Sequence, residues 1–194
     1  MSSLRIVAVV VAAGYLAGCA DLSSDGPSLS KKQSSEGPLR VGQRIPDAAE
    51  AAVIGPLTGR VVAGSVAFAR LVRCDDPDIV FKDEEGTGAD RMMTPELRAK
   101  LRKLSVLVSR KWPALRLRVT EAWDGQHEHG ANSVHYEGRA ADITTSDMDP
   151  EKLGRLAGLA IHAGFDWVFY EDGSHVHVSV AHSDHSGAPN SAAR

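Results

Sequence analysis

The sequence has 194 residues, with 22 lysines and arginines against 25 aspartates and glutamates and a net charge of −3. That balance leaves no positive surplus for a phosphate backbone, which sets nucleic acid aside as a partner. Hydrophobic residues at 43% exclude a wholly disordered chain, aromatics at 5% leave the core to Leu, Val, Ile and Ala, and two cysteines exclude a disulfide scaffold.

At the N-terminus Arg5 and the α-amino group precede an apolar stretch from Ile6 to Leu16. The stretch is shorter than the ~20 residues that span a bilayer and has the layout of an export signal. Its ending, Leu16-Ala17-Gly18-Cys19, resembles the lipobox of bacterial lipoproteins. The expectation is a signal peptide over 1–18 and lipid on Cys19, which would anchor the chain in a membrane. Ala20 in place of aspartate points such a lipoprotein to the periplasmic face of an outer membrane. Residues 19–38, rich in Ser, Gly, Pro and charge, read as a tether. A globular domain follows over 39–181, then a polar tail over 182–194. Cys74, without a second thiol once Cys19 is lipidated, reads as structural or incidental.

Within the domain, Thr94-Pro95-Glu96 is a helix start: a hydroxyl cap, proline in the first turn and an acid beside it. Leu97, Leu101, Leu104 and Val108 then recur at helical spacing, ending near Lys111 before Pro113. A second helix is predicted from about Pro150 to His162, with Gly164 as its stop. Strand-like alternations lie at Leu115–Val119, Ala141–Ile143, Val168–Tyr170 and Val176–Val180. Two main helices among mostly local strands predict an α+β fold, a small sandwich built on a mainly antiparallel sheet.

Most of the eight histidines lie in two segments, 127–135 and 175–185. His135 and Asp142 stand seven residues apart, with Gly138 between them able to turn the chain so that both face one point. His175 and His177, two apart on a predicted strand, share a face. One carboxylate and two imidazoles make an open three-ligand set of the kind catalytic zinc uses.

Four segments carry a family resemblance: DIVFKDEEGTGAD at 78–90, LRVTEAWD at 117–124, HYEGRAADITTSD at 135–147 and AGFDWVFYE at 163–171. They are similar to the amino-terminal signalling domain of animal Hedgehog proteins, and the likeness runs from about Ile45 to Val180. The S-x-H-x-x-G-x-A-x-D signature from Ser133 to Asp142 also resembles bacterial zinc D,D-carboxypeptidases and D,D-dipeptidases. The resemblance implies zinc held by His135, Asp142 and His177. It places Glu171 as the carboxylate beside the metal-bound water, with His129 and His175 as nearby polar groups.

Glu84, Glu85 and Asp90 bracket a Gly-Thr-Gly turn, and Glu121 and Asp124 end the strand after Val119. Hard oxygen donors in such number suit calcium, and the matching acids of animal Hedgehog domains bind two calcium ions. Gln126 stands where that family has a further aspartate, which implies one calcium rather than two.

Two functions follow. The leading expectation is a zinc peptidase cutting peptidoglycan stem peptides, with Glu171 as general base and His175 or His129 supporting the oxyanion. The alternative is a non-catalytic binding module, stabilised by zinc and calcium, that takes a protein ligand at the same cleft.

Overall fold

Thr94 sets the start of the longest helix. Its backbone is extended, its Oγ1 accepts the Leu97 N–H at 3.3 Å, and Pro95 opens α2, Pro95–Lys111. In the computed structural model, which describes residues 37–83, 86–126 and 129–182, Leu97, Leu101, Leu104 and Val108 form the fully buried face of α2. The signal segment, Cys19, the tether through residue 36 and the tail from residue 183 lie outside the described residues, as do Glu84 and Glu85.

The second predicted helix divides in two. Asp149 accepts the Glu151 N–H and Pro150 follows it, so Pro150–Lys152 winds as a 3-10 turn before α3, Leu153–Ala163. Gly164 ends α3 at φ 92°, its N–H donating to the Ala160 and Ile161 carbonyls. Gly154 admits the chain's N-terminal side: Leu39 N–H donates to its carbonyl, and a Cβ there would meet the Leu39 carbonyl oxygen at 2.3 Å.

Among the described residues eight short strands complete the fold: β1 (Arg44–Ile45), β2 (Val72–Arg73), β3 (Ile79–Phe81), β4 (Met92–Met93), β5 (Leu117–Glu121), β6 (Ala140–Thr145), β7 (Trp167–Phe169) and β8 (Val176–Ser179). Six of them form one sheet in the order β1-β7-β8-β6-β5-β3, while β2 and β4 pair separately. Every pairing is antiparallel except β3 with β5. The architecture is thus α+β on a mainly antiparallel sheet. Strand β5 starts two residues later than the alternation predicts, because Leu115 N–H closes a turn onto the Trp112 carbonyl. A bulge between Val119 and Glu121 shifts its register against β6.

Alternation gives the sheet two unlike faces. Leu117, Val119, Ala141, Ile143, Val168, Val176 and Val178 pack with α2 and α3 in the main core, where Cys74 is also buried. The alternate positions, Asp142 on β6 and His177 on β8, open on the other face, directly opposite each other in the ladder. There a five-residue helix, α1 (Glu50–Ile54), packs Ile54 against Val134, Ala140 and Trp167.

Candidate metal centre

The segment that carries the first histidine is wound tightly. Ser133 Oγ accepts the His135 N–H, a 3-10 turn covers Val134–Glu137, and Gly138 at φ 66° reverses the chain into β6. His135 is fully buried, with Nδ1 2.8 Å from the Ala122 carbonyl oxygen. That bond fixes the tautomer and leaves Nε2 facing inward. The inward Nε2 lies 3.3 Å from His177 Nδ1 and 3.5 Å from Asp142 Oδ1, and His177 Nδ1 lies 3.0 Å from Asp142 Oδ1. Three donor atoms from the 3-10 turn, β6 and β8 therefore converge on one point.

Around this trio stand further charged groups. The His129 ring stacks on that of His135 with centroids 4.2 Å apart. Its Nδ1 is 3.1 Å from both Glu121 Oε1 and Asp124 Oδ2, and its Nε2 is 3.8 Å from Asp142 Oδ2. His175 Nε2 reaches Glu171 Oε2 at 3.3 Å and Asp142 Oδ2 at 3.7 Å. Glu171 itself sits at the rim, its side chain 48% exposed.

Charge and burial act against each other here. Burial alone would raise the Asp142 carboxyl, but the surrounding imidazoles, His135 first, hold it well below the usual range. Hydrogen bonds to Asp142 and Glu121 push His129 up to about 11. Burial pulls His177 down, yet its bonds to Asp142 and Glu50 carry it up to about 10.

His129, His135 and Asp142 bring ligand-type atoms within 4.8 Å of one another, and so do Glu121, Asp124 and His129. The tighter set is His135, Asp142 and His177, whose longest edge is 3.5 Å. Of the expected acidic cluster, Asp90 is buried and accepts the Asp83 N–H, within a 3-10 turn (Ala89–Arg91) that packs against β5. Gln126 N–H donates to Asp124 Oδ1.

Two features lay beyond sequence reading. Glu50 on α1 accepts from His177 Nε2 at 2.8 Å, although 127 residues separate them and the alanine-rich stretch around it holds no motif. Burial opposes its ionisation, but the His177 bond keeps its pKa below the ordinary value. Second, Arg139 and Glu137, both buried, pair at 2.6 Å beside the turn that carries His135. A pair of opposite charges two residues apart inside an otherwise buried motif was the available signal.

The family model described as the Hedgehog amino-terminal signalling domain matches residues 21–179, a span that includes every residue of this centre. The chain is 52% identical over 134 residues to the Indian hedgehog protein of Gallus gallus, covering 69% of this chain and 33% of that protein. It is 50% identical over 145 residues to the Sonic hedgehog protein of Danio rerio, with coverages of 74% and 35%. It is 49% identical over 145 residues to Protein hedgehog of Drosophila persimilis, with coverages of 74% and 30%. The chain spans about a third of the length of these relatives.

These matches overturn the expected zinc peptidase and its peptidoglycan substrate, because the family is a signalling domain. Imidazoles and carboxylates that converge in a cleft are the residue types of a hydrolytic site, but the types alone do not fix an activity. Glu171, assigned there as general base, is a half-exposed rim acid facing His175. The relatives are animal hedgehog proteins, which also overturns the bacterial lipoprotein, its anchoring through Cys19 and its outer-membrane placement.

Proposed function

Because the chain belongs to the family of Hedgehog amino-terminal signalling domains, we propose that it is a non-catalytic, metal-stabilised module that docks a protein partner on its metal-bearing face. The family match over residues 21–179 carries this reading.

Zinc is the metal the donor set suits. Tetrahedral zinc at 2.0–2.1 Å from its ligands sets neighbouring donors about 3.3 Å apart, and the three edges here are 3.0, 3.3 and 3.5 Å. His135, Asp142 and His177 would hold it. Bound there, zinc cross-links the 3-10 turn, β6 and β8. The half-exposed Glu171 at the rim, steadied by His175, offers a partner an acceptor. Glu84, Glu85, Asp90, Glu121 and Asp124 are the oxygen donors that would take calcium, and neutral Gln126 favours one ion over two.

The test is competition. Zinc-loaded domain should displace the labelled signalling domain of the Gallus gallus Indian hedgehog protein from cells that bind it, and His135→Ala should displace far less. Folded, zinc-loaded domain that displaces nothing overturns the reading.

A further inference from the structure

We infer that Glu50 is an outer ligand-supporting residue of the metal centre, and that segment 48–61 is a strap whose docking and metal occupancy form one equilibrium. The inference rests on the zinc-site reading above and deepens it.

The strap has little of its own to hold it. Helix α1 is five residues long, and its Ala49 cap offers no side-chain bond. Isolated helices that short do not persist. Beside the burial of Ile54 against Val134, Ala140 and Trp167, what fixes the segment is a line of bonds to residues that carry or flank the metal ligands. Trp167 Nε1 donates to the Ala48 carbonyl at 2.9 Å, and the Trp167 ring lies edge-on to His177. His177 Nε2 donates to Glu50 Oε1 at 2.8 Å. Arg139, three residues before Asp142, donates to the Ile54 and Pro56 carbonyls at 3.1 and 3.2 Å. Glu137, two residues after His135, accepts the Thr58 and Gly59 N–H groups at 2.8 and 3.3 Å and also bonds Thr58 Oγ1. Val61 N–H donates to the Tyr136 carbonyl at 2.9 Å.

The decisive contact is the first between a strap side chain and a ligand ring. With His177 Nε2–H committed to Glu50, Nδ1 is the nitrogen that meets His135 and Asp142. A carboxylate on the far nitrogen orients a ligating imidazole and raises its basicity, and losing such a partner typically costs 10–100-fold in metal affinity. By linkage the effect is reciprocal: whatever tightens the metal through the strap is itself tightened by the metal. The strap thus reads out the centre some distance along the chain, at Thr58, Gly59 and Val61.

The experiment uses the full chain and zinc alone, with affinity read by chelator competition and strap order by amide hydrogen exchange. Zinc should slow exchange at Thr58, Gly59 and Val61 in the wild type. Glu50→Ala should weaken zinc about 10–100-fold and leave those amides exchanging faster even when zinc-saturated. Glu50→Gln, which keeps an acceptor but not the charge, should fall between and guards against a mere folding defect. Wild type that binds no zinc overturns the metal reading itself. Wild type that binds zinc, with both variants binding equally and strap exchange indifferent to zinc, overturns only the role of Glu50 and the strap.

Discussion

The two faces of the six-stranded sheet share every backbone hydrogen bond and differ in almost everything else. The face under α2 and α3 is closed by leucine, valine and alanine side chains whose attraction is non-directional and roughly proportional to area. The opposite face keeps a small apolar cluster around Ile54 and Trp167 but is otherwise closed by charge: His135, Asp142, His177, Glu50, Glu137 and Arg139 are held by bonds with fixed donors and acceptors. The first face should be indifferent to pH, whereas the second should answer to protons and to the removal of any one partner. Stability and responsiveness are thereby assigned to different sides of the same strands.

The largest effect should come from unpairing a buried charge. Glu137→Ala strands the Arg139 guanidinium, 2% exposed, and releases Thr58 and Gly59. Breaking a buried pair in this way costs about 3–5 kcal/mol, measurable as a lowered urea midpoint. On the other face Leu101→Ala should cost about 2–5 kcal/mol through a cavity. It should leave intact the gain from zinc, about 2.7 kcal/mol at a hundredfold excess over Kd. A Leu101→Ala variant that also lost that gain would show the faces to be coupled, sharpening the contrast into a question of how.

Protons should separate the faces as well. In chelator-treated protein His129 is pushed up to about 11 and His177 to about 10, against about 6.5 in the unfolded chain. A raised folded pKa means the folded state binds more protons between those values. The stabilisation is therefore complete below about pH 6.5 and is lost as pH rises through about 10–11. Urea midpoints falling across that window in wild type, and less steeply in His129→Ala, are expected. Smallest is Thr94→Ala, which removes the α2 cap for about 1 kcal/mol; thermal melting should detect it with zinc affinity unchanged.

Legibility in the sequence followed the same division. Helix α2 was readable because cap, proline and apolar spacing all lie within one local stretch, and the strands β6 and β8 showed clear alternation. Strand β3 was not, since three residues give no period and its partner β5 is 38 residues away. Leu115 misled because an apolar alternation says nothing of the turn after Pro113. At the centre, His135, Asp142 and His177 carried a motif, while Glu50 reached it only through the fold. The chemistry misled most: residue types that bind metal are legible one by one, but whether the cleft turns over substrate or holds a partner is not written in them.

The bulge in β5 decides which face the end of that strand serves. In strict alternation Leu117 and Val119 would be followed inward by residue 121, so an acid would be driven among the leucines of α2. The extra residue, Thr120, whose hydroxyl donates to the Asp142 carbonyl, breaks the parity and sets Glu121 opposite Asp142 instead. One inserted position thus acts as a switch of sidedness. Deleting Thr120 would spare that sidedness: Glu121 would then follow Val119 directly and still stand opposite Asp142, so only the bend and the hydroxyl's bond would go, whereas deleting a paired residue such as Arg118 would exchange the faces.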